Sequence, residues 1–313
     1  MDDATRWDPA GRSANGTDQQ FGDTETGALG VVVGVDGSTS AMRAVQWAAA
    51  EARMSGLPLR ILHAAPYAAG ATADAGRERA REVLGAASTL ARRREPGLWI
   101  TTRCALEPPV PALARAAARA RLLVLGGADR PNAEPTESVG LRLVETARCP
   151  VVVVQGRART MGDDRPVVAG VDVLDPDAPI VVDVLAAAVG AALKHHCSLI
   201  VLHAAQADTP DRDLARGLAA RHPGLDVRQV TTAAHPTIAL LDAARRAYLL
   251  VIGSRGRSAP VRVRMGSTCR DVLRRSPVPV EIVTGPAHRT HTVEAVPDFS
   301  PLATDPQDLH QLW

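Results

Sequence analysis

Aromatic side chains are scarce in this sequence, at 3% of 313 residues. The interior must therefore be assembled from Ala, Val and Leu, which suits thin, tightly packed layers of helix on sheet. Lysine is scarcer still. Lys194 is the only one, and 35 of the 36 basic residues are arginine, which reads as the coding bias of a GC-rich genome rather than as an arginine-specific function. The four cysteines, Cys104, Cys149, Cys197 and Cys269, include no C-x-x-C pair, and no His or Cys cluster has zinc spacing. No disulfide framework or zinc module is implied, and a reducing cytoplasm is the expected location. Cys104 and Cys197 lie in or beside apolar runs and are expected in the core. No apolar run is long enough to cross a bilayer, and residues 1–27 contain no hydrophobic signal segment, so no membrane association is expected. Excess charge is missing as well: 36 basic against 34 acidic residues leave a net +2. That balance, with arginines interleaved among acids and few aromatic platforms, argues against a nucleic-acid partner.

What remains is 46% hydrophobic and 22% charged, a composition of packed globular structure at a length that suggests two domains. Residues 1–28 read as a disordered leader. From Leu29 the pattern alternates between short β-branched runs and Ala-rich helical stretches. Strands are expected at 29–35, 59–65, 98–104, 122–126 and 151–154, with helices at 41–55, 76–94, 110–119 and 138–147. The order then recurs, with strands at 166–172, 199–205, 225–231, 249–253 and 280–283 and helices at 178–194, 211–221, 235–246 and 267–275. Local matches support a duplication: Gly34-Val-Asp36 with Gly170-Val-Asp172, Ile61-Leu-His-Ala-Ala65 with Val201-Leu-His-Ala-Ala205, and Cys149-Pro-Val151 with Val278-Pro-Val280. The expected fold is α/β, with two tandem doubly wound five-stranded parallel sheets of strand order 3-2-1-4-5 and helices on both faces. The first domain spans 29–155 and the second 166–284. A polar linker at 156–165 joins them, and a tail follows at 285–313 whose Phe299, Leu302 and Trp313 are candidates to dock on the body.

One motif carries chemistry. The fourth strand of the second half ends in Gly253-Ser-Arg-Gly256, and after nine intervening residues Gly266-Ser267-Thr268 opens a helix. Glycines directly after a strand let the backbone approach a ligand closely. A helix N-terminus presents free N–H groups and the positive end of its dipole to an anion, and Arg255 and Arg257 are near enough in sequence to reach a phosphate. In an open α/β sheet the ligand crevice lies where the winding reverses, between the ends of strands one and four. Asp172 and Gly253 end those strands. Asp172 is a candidate acceptor for an adenine amino group or a ribose hydroxyl; its alternative role is a turn or helix cap, which nearby Asp175 is also placed to fill. His203, at the end of strand two, is expected to be a hydrogen-bonded structural residue. His195-His196 reads as a solvated helix end, and Arg92-Arg93-Arg94 as a helix terminus favourable to the dipole.

These residues resemble the universal stress protein family in a tandem two-domain form. The resemblance covers roughly 29–154 and 166–284, and rests on Val33-Gly-Val-Asp-Gly-Ser38, on Cys149-Pro-Val-Val-Val-Val154 and on the G-x2-G-x9-G-[ST] spacing of the family's ATP-binding members. It implies that Asp172 and the backbone near Val201 contact adenosine. It implies also that Gly253, Gly256, Gly266, Ser267 and Thr268 hold the phosphates. Family members commonly dimerise through the fifth strand. Here 151–154 and 280–283 would otherwise be exposed apolar edges, so pairing of the two halves is expected.

Departures from the pattern shape the expected function. In the first half Asp129 replaces the second motif glycine, and Glu137-Ser138 stands where Gly-Ser would be. A carboxylate about 4 Å from a phosphate charge is repelled by roughly 1 kcal/mol in water and roughly 4 at an effective dielectric of 20, so this half is expected to hold no phosphate. In the second half Val173-Leu174 replaces Gly37-Ser38. The expectation is an ATP-binding regulatory protein of the stress or dormancy response with one competent site in the second domain, ATP bound with or without Mg, and no metal of its own. An unidentified protein partner and a homodimer complete the expected set. The alternative is a nucleotide-independent scaffold built from the paired halves. An enzyme is not expected, since no nucleophile–base pair or metal cluster demands turnover, although slow ATP hydrolysis is compatible with the motif.

Overall fold

A computed structural model describes residues 30–66, 73–127, 139–155, 164–175, 177–204, 213–254 and 265–284. The expected leader, most of the linker, the tail, and the loop positions Asp129, Glu137, Arg255, Gly256 and Arg257 lie outside the described residues.

Strand and helix alternate through both halves. The first half runs β1 (Val31–Val35), α1 (Thr39–Met54), β2 (Leu59–Ala64), α2 (Ala73–Arg94), β3 (Ile100–Ala105), α3 (Pro109–Ala117), β4 (Leu122–Gly126), α4 (Val139–Thr146) and β5 (Val151–Val154). The second repeats it with β6 (Val167–Val171), α5 (Pro179–His195), β7 (Leu199–Ala204), α6 (Leu214–Arg221), β8 (Val227–Thr232), α7 (Pro236–Ala244), β9 (Leu249–Gly253), α8 (Ser267–Arg275) and β10 (Val280–Val283). Where boundaries shift from the sequence reading, local hydrogen bonding explains it. α7 stops at Ala244 because the amides of Arg245, Arg246 and Ala247 turn to carbonyls only three residues back. α6 starts at Leu214 because the Asp213 carboxylate caps it, accepting from the Arg216 amide at 2.9 Å.

The strands form a single sheet in the order β3-β2-β1-β4-β5-β10-β9-β6-β7-β8. Each half keeps the 3-2-1-4-5 order, with parallel ladders throughout. The halves fuse through one antiparallel junction, where Val280, Glu281 and Ile282 of β10 pair with Val153, Val152 and Val151 of β5. Each of these short apolar strands covers the other, and the outer edges fall on β3 and β8 instead. The edge position of β3 corrects the expectation for Cys104, which is exposed; the other three cysteines are buried.

Two apolar layers sandwich the sheet. α1, α2, α5 and α6 pack on one face around Val33, Ile61, Val152, Val201 and Val251. α3, α4, α7 and α8 pack on the other around Leu123, Val151, Leu250 and Ile282. α1 and α5 lie side by side on the first face, close to the β5–β10 junction, and there His195 departs from its expected role. Its side chain is 6% exposed and hydrogen-bonded, while His196 alone is the solvated helix end. His196 also takes a left-handed φ of 53°. The corresponding position after α1 is Gly56, at φ 64°.

Candidate functional site

β6 and β9 are parallel neighbours, with Gly170 level with Ile252. The chain leaves β6 toward β7 on one side and reaches β9 on the other. α5 and α8 consequently lie on opposite faces, and a crevice opens beyond the strand ends. Asp172, directly after β6, is exposed. Directly after β9, Ser254 is 4% exposed; its amide donates to the Val283 carbonyl at 3.0 Å, and its carbonyl accepts from the Gly266 amide at 3.0 Å. That second bond holds the start of α8 against the end of β9. Gly266 is the N-cap residue, extended at φ −72° and ψ 157°, and supplies no side-chain cap. The opening amides of the helix therefore keep their positive field for whatever lies in the crevice. Ser267 is exposed there and Thr268 half-exposed.

The structure thus brings together Asp172, Gly253, Gly266, Ser267 and Thr268 at one end of the sheet. Val201 is placed differently. It sits in the interior of β7, fully buried, level with Ala169 on one side and Gln229 on the other. Its backbone serves the ladders, and the positions that reach the strand end are His203 and Ala204. A strand-length count places Val201 three residues before that end, a signal the sequence already contained.

His203 is 1% exposed. Its Nδ1 lies 3.2 Å from the Val171 carbonyl. Since a carbonyl only accepts, Nδ1 carries the proton and Nε2 is buried without a partner. The expectation of a hydrogen-bonded structural histidine holds for one nitrogen. His63 makes the matching bond to Val35 at 2.7 Å in the first half.

The loops after β1 and β6 differ. After β1, Gly37 takes φ 89°, the Ser38 amide donates to Asp36 Oδ1 at 2.9 Å, and Ser38 Oγ caps α1 by accepting from the Ala41 amide at 3.2 Å. Thr39 opens α1 four residues after Val35, whereas Pro179 opens α5 eight residues after Val171. Val173 cannot readily adopt the left-handed turn of Gly37, and Leu174 is buried at 4% exposure. Asp175 closes the longer loop: its Oδ1 accepts from the Asp177 amide at 3.2 Å and its carbonyl from the Ala178 amide at 3.2 Å. Asp175 fills a turn role in this region, and Asp172 stands at the crevice mouth.

Among the described residues no group of three or more His, Cys, Asp or Glu side chains is placed to hold a metal ion, and no helix is long and apolar enough to cross a membrane. A separate open concavity of about 600 Å³ lies between α6 and edge strand β8, lined by Asp213, Arg216, Gln229 and Thr231 among others.

The Universal stress protein family profile matches residues 30–155 and 205–284. The gap between the matched segments takes in β6, α5 and β7, the part of the repeat that carries the longer loop. Among curated relatives, a universal stress protein of Mycobacterium tuberculosis is 28% identical over 285 residues, spanning 80% of this chain and 95% of that one. One of Mycolicibacterium smegmatis is 28% identical over 288 residues, spanning 81% and 96%. Among solved structures, a universal stress protein from Archaeoglobus fulgidus has the same fold, with a TM-score of 0.64 at 19% identity, covering 82% of this chain and 98% of its own.

Proposed function

This chain belongs to the universal stress protein family, and from that premise we propose that it is an ATP-binding regulatory protein of the stress and dormancy response, with one competent nucleotide site in its second domain, residues 166–284. The observation that carries the reading is the uncapped N-terminus of α8, held by the Gly266–Ser254 hydrogen bond beside the strand that neighbours exposed Asp172. Polyphosphate would meet the amides of Ser267 and Thr268 and their hydroxyls, with the Arg255 guanidinium supplying charge and Gly253 and Gly256 leaving room for close backbone approach. Asp172 would accept from the ribose or the base. Mg would enter only with the nucleotide, since the site supplies few carboxylates of its own. Binding, not turnover, is the role in this reading, and hydrolysis would be slow. The first domain, residues 29–155, would be silent toward phosphate because Asp129 and Glu137 stand at its phosphate positions.

Mass spectrometry of the nucleotides that co-purify with the cytoplasmic protein tests this reading. ATP retained by the wild type and absent from Gly256→Asp supports it; equal nucleotide in both, or none in the wild type, opposes it. One observation favours the second reading, a nucleotide-independent scaffold: the tight Gly37-Ser38 turn after β1 is replaced after β6 by a longer loop that packs Leu174 into the core. Retention of a protein partner by Gly256→Asp would favour the scaffold.

A further inference from the structure

The junction of the two halves carries a cluster of charge that the repeat does not duplicate. Glu51 of α1 is 7% exposed. Its Oε1 is ion-paired with Lys194 of α5, and its Oε2 accepts from His195 Nε2 at 3.1 Å. The His195 ring in turn packs against Tyr248, with centroids 4.5 Å apart. Aligning the halves at Leu59 and Leu199 puts Ala191 in the place of Glu51, Met54 in that of Lys194 and Ser55 in that of His195. Beneath the helices, Glu281 of β10 stands level with Val152 of β5, which is also its own counterpart in the repeat, and with Val251 of β9. Both valines belong to the core layer shared by α1 and α5, so Glu281 faces those helices. The charges that act on it come from every side of the seam: Glu51 from α1, Lys194 from α5 and Arg121 just before β4. Its strand neighbours are apolar.

We propose that this seam is a proton-sensitive joint: a proton on Glu281 keeps β5 paired with β10 and α1 against α5, and its loss at alkaline pH loosens the pairing while each half stays folded. Two carboxylates from different halves share the Lys194 cation, and their other neighbours, His195 for Glu51 and Arg121 for Glu281, divide the roles. Burial alone would raise the Glu51 carboxyl, but the hydrogen bond from His195 and the charges of Lys194 and His195 hold it below its ordinary value, so Glu51 stays ionised. Glu281 is half-buried in the seam, and that partial loss of water, aided by the Glu51 charge and opposed by Lys194 and Arg121, pushes it up to about 7 from 4.5. A carboxyl raised by pairing supports the pairing fully below its unpaired value. That support declines as pH rises between the two values and is gone above about 7. The opening equilibrium of the joint would rise about tenfold between pH 6 and 8.5 on these values.

Hydrogen–deuterium exchange on the full chain, corrected for the intrinsic pH dependence of amide exchange, tests this directly. Protection of those amides of Val151–Val154 and Val280–Val283 that point across the β5–β10 junction should fall about tenfold from pH 6 to 8.5 relative to those of β1 and β6, while the amides turned toward β4 and β9 stay protected. The step should vanish in Glu281→Gln, and also in Glu281→Val, which installs the residue the first half already carries. Seam amides that track β1 and β6 at every pH overturn the proposal, as does a step that survives in either variant.

Discussion

Glu51 of α1 and Lys194 of α5, 143 residues apart in the chain, form an ion pair across the junction of the two halves. The only lysine of the protein is thus committed to a contact that holds the repeat together. Glu51→Gln leaves Lys194 and His195 without their anion. It should lower stability in urea denaturation by about 2–3 kcal/mol, toward the low end for a broken buried pair, because the Lys194 side chain is 30% exposed. The pH dependence has a definite sign. A carboxyl held low in the folded state stabilises fully above its unfolded value and loses that contribution as pH falls through its folded one. The acid limb of the stability profile should therefore flatten in Glu51→Gln; a variant with an unchanged midpoint and acid limb would deny the pair any weight.

Two glycine-to-alanine changes should move stability in opposite directions. A Cβ on Gly126, at the end of β4, would sit 2.6 Å from the Ala41 amide nitrogen and the Ser40 carbonyl carbon, so Gly126→Ala should cost about 1–3 kcal/mol as the strand and α1 are forced apart. Gly85 lies in mid-helix on α2, where an added methyl would meet nothing within 4 Å, and Gly85→Ala should gain about 0.5–1 kcal/mol. Thermal unfolding of both variants reads the two signs.

Thiol labelling should distinguish the cysteines. Burial pushes the Cys149 and Cys269 thiols up to about 12, and Cys197 is buried. Cys104, on edge strand β3, is exposed, although its thiol too is raised by partial burial. A disulfide reagent at pH 8 should titrate one thiol per native chain and all four after denaturation. The single fast phase should disappear in Cys104→Ser.

Much of the fold is legible in the sequence because its signals are local. β4, β5, β9, β10 and α8 fall on the expected residues, since Val- and Leu-rich runs are bounded by Gly126, Pro150, Gly253 and Pro279, and Gly266 precedes the helix. The strand-end positions of Asp172 and Gly253 follow from that pattern. Val201 rests on resemblance and not on a count along its strand, and it lies too deep to reach the crevice. His195 and Lys194 escape a local reading for another reason. Their roles depend on Glu51, and no local period links residues so far apart. The longer path after β6 is equally hidden, because Val173-Leu174 marks the loss of the tight turn without revealing where Leu174 goes.

Calorimetric titration of the full chain with ATP, with and without Mg, counts the nucleotide sites and so decides whether the second half alone holds one. Saturation at one ATP per chain is predicted, with affinity lowered about tenfold or more in Asp172→Ala, as for a lost hydrogen bond to a charged group, and no binding in Gly256→Asp. Absence of saturable heat, saturation at two per chain, or full affinity in Gly256→Asp would rule out a single site in the second half.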